Sequence, residues 1–168
     1  KSQKIQQYPV GGYDYFLMID SDIDFKLSHV LALIENDKDI CCAPYKMHNN
    51  QELFDCGMFK PGEPGRIFNR FSTEQKGTYK VDWTGAGFML IKAEALRAMS
   101  YPWYRHIIVK SGDEQSETSE DIGFCTNAKE SNIDIWCDFD IPIGHRKRTT
   151  SDFNWNLDTG VELVGQES

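Results

Sequence analysis

The chain has 168 residues, enough for one domain with its own core, and 40% apolar with 12% aromatic residues excludes a disordered composition. A formal net charge of -8 leaves no broad basic field, so no nucleic-acid partner is expected. No apolar run reaches the length of a membrane span, and residues 1–12 do not read as a signal peptide. Five cysteines with no C-x-x-C pair read as reduced core thiols in a cytoplasmic setting, rather than as a disulfide framework or a zinc site.

Residues 1–12 form a polar lead-in, 13–150 one domain and 151–168 a polar tail in which Phe153 and Trp155 are candidate anchors. Tyr15 to Ile19 reads as a buried strand that ends in Asp20, Asp22 and Asp24 on alternate positions. Leu27 to Asn36 reads as a helix with Leu27, Val30, Leu31 and Ile34 on its core face and Ser28 as cap. Asp39 to Pro44 is a short buried strand. Strand, helix and strand in this order predict a βαβ unit with a right-handed crossover and parallel pairing.

Residues 45–78 read as an irregular excursion holding a hairpin, Leu53 to Phe59 with Arg66 to Phe71. Tyr79 to Trp83 and Phe88 to Ile91 read as strands around a small-residue turn, Thr84 to Gly87. Ala93 to Met99 is a short helix and Tyr101 to Glu117 a loop. Ser119 to Ser131 is a helix that opens on Glu120 and Asp121, where a helix N-terminus favours negative charge. Ile133 to Phe139 is a strand, and Ile141 to Gly144 an extended piece that runs into His145, Arg146, Lys147 and Arg148.

Carboxylates crowded at a strand end repel one another unless a cation sits among them, and a divalent ion with oxygen ligands is the natural candidate. A calcium loop of EF-hand type fails, because its glycine and glutamate positions are Phe25 and Leu31. A solvated strand end with capping aspartates stays open. So do plain helix-stabilising carboxylates for Glu120 and Asp121, a solvated surface group for His145 and core packing for Trp83.

Asp20-Ser21-Asp22 after an apolar strand resembles the D-x-D motif of GT-A glycosyltransferases of the family-2-like kind. Ser119-Glu120-Asp121 resembles their x-E-D motif, and His145 maps onto a histidine that follows it there. The stretch Val81 to Ile91, with Trp83, Gly85, Ala86 and Gly87, resembles their sugar-side turn. The motifs stand in the family's order over residues 13–148.

The resemblance implies an α/β fold, a GT-A (Rossmann-like) mixed, mainly parallel sheet flanked by helices. It implies Mn2+ (or Mg2+) held by Asp20, Asp22 and His145, and Asp121 as general base with Glu120 beside it. Ser21, Trp83, Gly85, Ala86, Gly87, Arg146 and Arg148 would contact donor or acceptor. The partners implied are a UDP- or GDP-sugar donor and a glycan or other hydroxyl acceptor.

The family's nucleotide-binding region normally precedes D-x-D. Little precedes Tyr13, so a fold truncated at the N-terminus is expected. A retaining mechanism, a non-catalytic glycan- or partner-binding module, and a metal-dependent nucleotidyl or phosphoryl transferase are the alternatives; the last would release pyrophosphate.

Overall fold

The computed structural model describes residues 12–47, 50–111 and 114–146. The lead-in 1–11, Lys147, Arg148 and the tail with Phe153 and Trp155 lie outside them.

Strand β1 (Tyr15–Ile19) runs through the acidic turn into the two-residue β2 (Ile23–Asp24), helix α1 (Leu27–Glu35) and β3 (Ile40–Cys42). The excursion is a long hairpin of β4 (Leu53–Lys60) and β5 (Glu63–Ser72). β6 (Thr78–Val81), β7 (Trp83–Thr84), β8 (Phe88–Lys92) and α2 (Ala93–Ala98) follow. The predicted loop over 101–117 contains a second hairpin, β9 (Ile108–Ser111) and β10 (Glu114–Glu117). α3 (Glu120–Glu130), β11 (Ile135–Asp138) and β12 (Gly144–His145) complete the described elements.

The main sheet has five strands in the order β1-β8-β3-β11-β6. Only β3 and β11 pair in parallel; the β1–β8, β8–β3 and β11–β6 pairings are antiparallel. Three further small sheets, β9–β10, β2–β12 and β5–β4–β7, are antiparallel throughout. The expectation of a mainly parallel, helix-flanked Rossmann-like sheet of GT-A type is therefore overturned. The molecule is built of small antiparallel and mixed sheets, with three helices among the described residues.

The βαβ expectation fails for a specific reason. β1 and β3 do run in the same direction, but β8 lies between them, antiparallel to both. Four of the five residues of β8 are buried, as is all of β3, so these two uniformly apolar strands take the centre. β1 becomes an edge, with Leu17, Met18 and Ile19 exposed.

The sheet carries a core on each face. Consecutive strand residues point to opposite faces, so Cys41 joins one cluster and Cys42 the other. One cluster gathers Leu33, Tyr45, Phe88 and Leu90; the other gathers Trp83, Met89, Ile91, Phe124 and Cys137. α1 is fixed by Leu33, while Leu27, Leu31 and Ile34 of the predicted core face are exposed. Its N-terminus is closed by His29 rather than Ser28: the Lys26 backbone N–H donates to His29 Nδ1 at 3.3 Å.

α3 is tied to the preceding loop by the buried Asn127. Its amide donates to the Ser100 carbonyl at 2.7 Å and accepts from the Ser100 N–H at 3.3 Å. The side-chain amide of Asn36, at the end of α1, donates to Asp138 Oδ2 at 2.7 Å and joins α1 to β11.

Candidate metal and acid-base site

The site forms where β1, the turn 85–87, the start of α3 and β12 come together. The Asp20 N–H donates to the Gly87 carbonyl at 2.9 Å, which fixes the acidic turn to the small-residue turn. The Ile23 N–H donates back to the Asp20 carbonyl at 3.1 Å and closes the bend. β12 then pairs with β2, so that Gly144 faces Asp24 and His145 faces Ile23, and the Arg146 N–H donates to the Asp22 carbonyl at 2.8 Å.

This register brings His145 Nε2 to 3.3 Å from Asp22 Oδ2. Two neighbouring ligands of one octahedral ion, each about 2.1 Å from it, stand about 3 Å apart, so the pair fits a shared cation with little movement. The other ring nitrogen, Nδ1, lies 3.4 Å from the Lys46 carbonyl. A carbonyl there favours the proton on Nδ1 and leaves Nε2 as the ligating lone pair.

Among the described residues, no three His, Cys, Asp or Glu side chains form a metal-holding set. A site that takes few protein ligands and fills its remaining positions with phosphate oxygens and water is the ordinary arrangement for magnesium-like ions. Asp22 and His145 could supply two of the ligands of such a site. Asp20 stands at the neighbouring turn, its Oδ2 3.2 Å from where a Cβ on Gly87 would lie.

Asp121 is half-buried at the first turn of α3, and its carboxylate accepts from the Ala86 N–H. Burial pushes its pKa up to about 6; the Ala86 bond opposes the shift, and the charges of Glu120, Asp20 and Asp55 add to it. A carboxyl tuned towards neutrality, beside the turn that anchors Asp20, has the protonation behaviour a general base needs.

The other expected residues fall in different places. Glu120 is exposed and faces outward to His106, with Oε2 3.7 Å from Nε2. Trp83 is 2% exposed and carries the Arg70 guanidinium over its ring at 4.9 Å, so its ring packs in the core and is not presented to a sugar. Arg146 Nε binds Asp24 Oδ2 at 2.5 Å, which gives Asp24 the role of holding β12 to the turn. Ser21 is exposed on the bend, and Arg148 lies outside the described residues.

The glycines have a use the sequence did not suggest. A Cβ on Gly85 would meet Tyr45 Oη at 2.0 Å, and one on Gly87 would meet Tyr45 Cε1 at 2.6 Å. The space expected for a ligand at these positions is taken by the Tyr45 ring.

Tyr45 and Asp55 are site residues that the sequence reading missed. The Asp55 N–H donates to the Tyr45 carbonyl, and the Gly85 N–H donates to the Asp55 carbonyl, each at 3.0 Å. Burial raises the Asp55 carboxyl, while Arg70 and His145 pull it back down. Burial raises the Tyr45 phenol, helped by the charges of Asp55, Asp121 and Asp20, so it stays protonated. The only sequence signal was an aspartate between Phe54 and Cys56 in an otherwise apolar hairpin strand.

No protein-family model matches the chain, and no curated protein matches it. Among solved structures, "Crystal Structure of A197 from STIV" is similar, with a TM-score of 0.48 and 15% sequence identity over 84% of this chain and 71% of that one. Among the described residues, no helix is long and apolar enough to cross a membrane.

Proposed function

We propose that this chain is a metal-dependent glycosyltransferase that moves a sugar from a UDP- or GDP-sugar donor to the hydroxyl of a glycan or other acceptor. The observation that carries this reading is the meeting of Asp22 and His145 at 3.3 Å, beside a turn that also holds Asp20 and Asp121. Asp22 and His145 hold the cation, with Asp20 next to them. When bound, Mn2+ or Mg2+ supplies Lewis-acid stabilisation of the charge that builds on the leaving diphosphate. Asp121, ionised above pH about 6, takes the proton of the attacking acceptor hydroxyl, and the transfer is inverting. The described cysteines are buried free thiols, and we place the protein in the reducing cytoplasm on that ground.

The test is a screen of UDP- and GDP-hexoses with Mn2+, read as release of UDP or GDP. Release that needs Mn2+ and disappears in Asp22→Ala and Asp121→Asn is expected. Mn2+ with UDP or GDP should also raise the melting temperature of the wild type and leave that of Asp22→Ala unchanged. A flat thermal response in the wild type sinks the reading. Release of pyrophosphate would make the protein a nucleotidyl transferase. Glycan binding that persists in Asp121→Asn, with no nucleotide released by the wild type, would make it a binding module.

A further inference from the structure

The two-residue strand β12 cannot by itself fix the direction of the His145 ring, because its two register pairs constrain backbone alone. Something else must hold the imidazole against Asp22. Tyr45 touches it: the ring centroids are 4.6 Å apart and the planes are tilted by 54°. Tyr45 is itself only 8% exposed. Its ring fills the spaces left by the missing Cβ atoms of Gly85 and Gly87, and its carbonyl is held by the Asp55 N–H. The next residue, Lys46, offers the carbonyl that faces His145 Nδ1 at 3.4 Å. One short segment thus supports the imidazole by ring contact and by a hydrogen bond. The same glycine turn anchors Asp20 through the Gly87 carbonyl.

We propose that Tyr45 is the positioning residue of the site: its ring, lodged on the Gly85–Gly87 turn, sets His145 in the orientation that presents Nε2 beside Asp22 to a divalent cation. The inference rests on the reading of His145 as a cation ligand. It explains why the turn carries glycine at 85 and 87, since a side chain at either would displace the Tyr45 ring and, with it, His145.

The measurement is the dissociation constant of Mn2+, read from the EPR signal of the free ion, with and without UDP. Tyr45→Phe keeps the ring and should keep the affinity. Tyr45→Leu removes it and should weaken Mn2+ binding about tenfold, the loss typical of removing a group that orients a ligand. His145→Ala should weaken binding as well, and Tyr45→Leu added to His145→Ala should weaken it no further. Phe59→Leu, which removes a buried ring elsewhere in the core, controls for lost stability and should bind Mn2+ like the wild type.

If Tyr45→Leu binds as tightly as the wild type, or still weakens binding when His145 is absent, the inference falls and the glycosyltransferase reading stands. If Phe59→Leu loses affinity to the same degree, the effect is general destabilisation and the inference again falls. If the wild type binds no Mn2+ with or without UDP, both fall together.

Discussion

At Asp121, burial raises the carboxyl, the Ala86 N–H opposes the shift, and the charges of Glu120, Asp20 and Asp55 add to it. Its pKa of about 6 lies above the ordinary aspartate value, so the ionised form is the disfavoured one in the folded protein. Between that ordinary value and about 6, the folded state binds more protons than the unfolded state, and stability therefore falls as pH rises through this window. Asp121→Asn keeps an oxygen for the Ala86 N–H and removes the charge. The variant should melt higher than the wild type at pH 8, with the gap shrinking at pH 5, while the proposed sugar transfer is lost. Thermal scans at the two pH values check this, and a variant that melts lower than the wild type at pH 8 would show that the carboxylate stabilises the turn instead. The proposed transfer should slow as pH drops through about 6, the direction required of a base. Asp22 stood out in the sequence as one of three carboxylates at a strand end, whereas Asp121 and His145 became candidates through the resemblance of their motifs and motif order to GT-A enzymes. Tyr45 and Asp55 were not legible there. Their place depends on the pairing of β4 with β7, which sets Cys56 opposite Thr84, and no spacing in the chain encodes that register.

The elements owe their positions to close approaches that propensity alone would not suggest. Gly123 sits inside α3, where replacing glycine by alanine ordinarily gains about 1 kcal/mol. Here a Cβ would stand 1.7 Å from the Arg105 carbonyl oxygen, so the sign reverses. Gly123→Ala should cost stability at or beyond the upper end of the about 1–3 kcal/mol typical of overpacking, measured by urea denaturation. A stabilised variant would mean that α3 and the loop at Arg105 can separate freely. Most element types could be read from the sequence: apolar periodicity marks Leu27–Glu35, and the acidic opening at Glu120 and Asp121 marks Glu120–Glu130. Strand direction could not, because an apolar run such as Phe88 to Ile91 reads the same from either end. Nor could the partner of each face be read. Of the stripe Leu27, Val30, Leu31 and Ile34, Val30 packs partly against the core while the other three are exposed, and the buried residue of the helix is Leu33.

Across the whole molecule, the central sheet divides the core into two unequal halves. Among the described residues, the cluster under α1 has 8 buried residues, and the one shared by the long hairpin and α3 has 20. Apolar contact is the main source of local stability, so the α1 side should open at a lower free-energy cost than the other. Adjacent cysteines on β3 report the two halves separately, Cys41 from the α1 side and Cys42 from the hairpin side. Both are fully buried in the native fold. Burial pushes the Cys41 thiol up to about 12 and raises those of Cys42 and Cys125, and a hydrogen bond with Cys137 raises that of Cys56; against burial, hydrogen bonds from Cys42, Cys56 and Thr84 lower that of Cys137, but all five are buried, so labelling needs opening of the structure. With iodoacetamide at pH 8 and no denaturant, all five cysteines should stay unmodified. In a urea series below the main transition, Cys41 should be alkylated before Cys42, as read by fragment-ion mass spectrometry. Simultaneous labelling of the two would mean that the sheet and both its faces unfold as one cooperative unit, with the exposed stripe of α1 making no weak point. Earlier labelling of Cys42 would place the weak point in the long hairpin, on the face where Asp55 and the turn at Gly85 are joined.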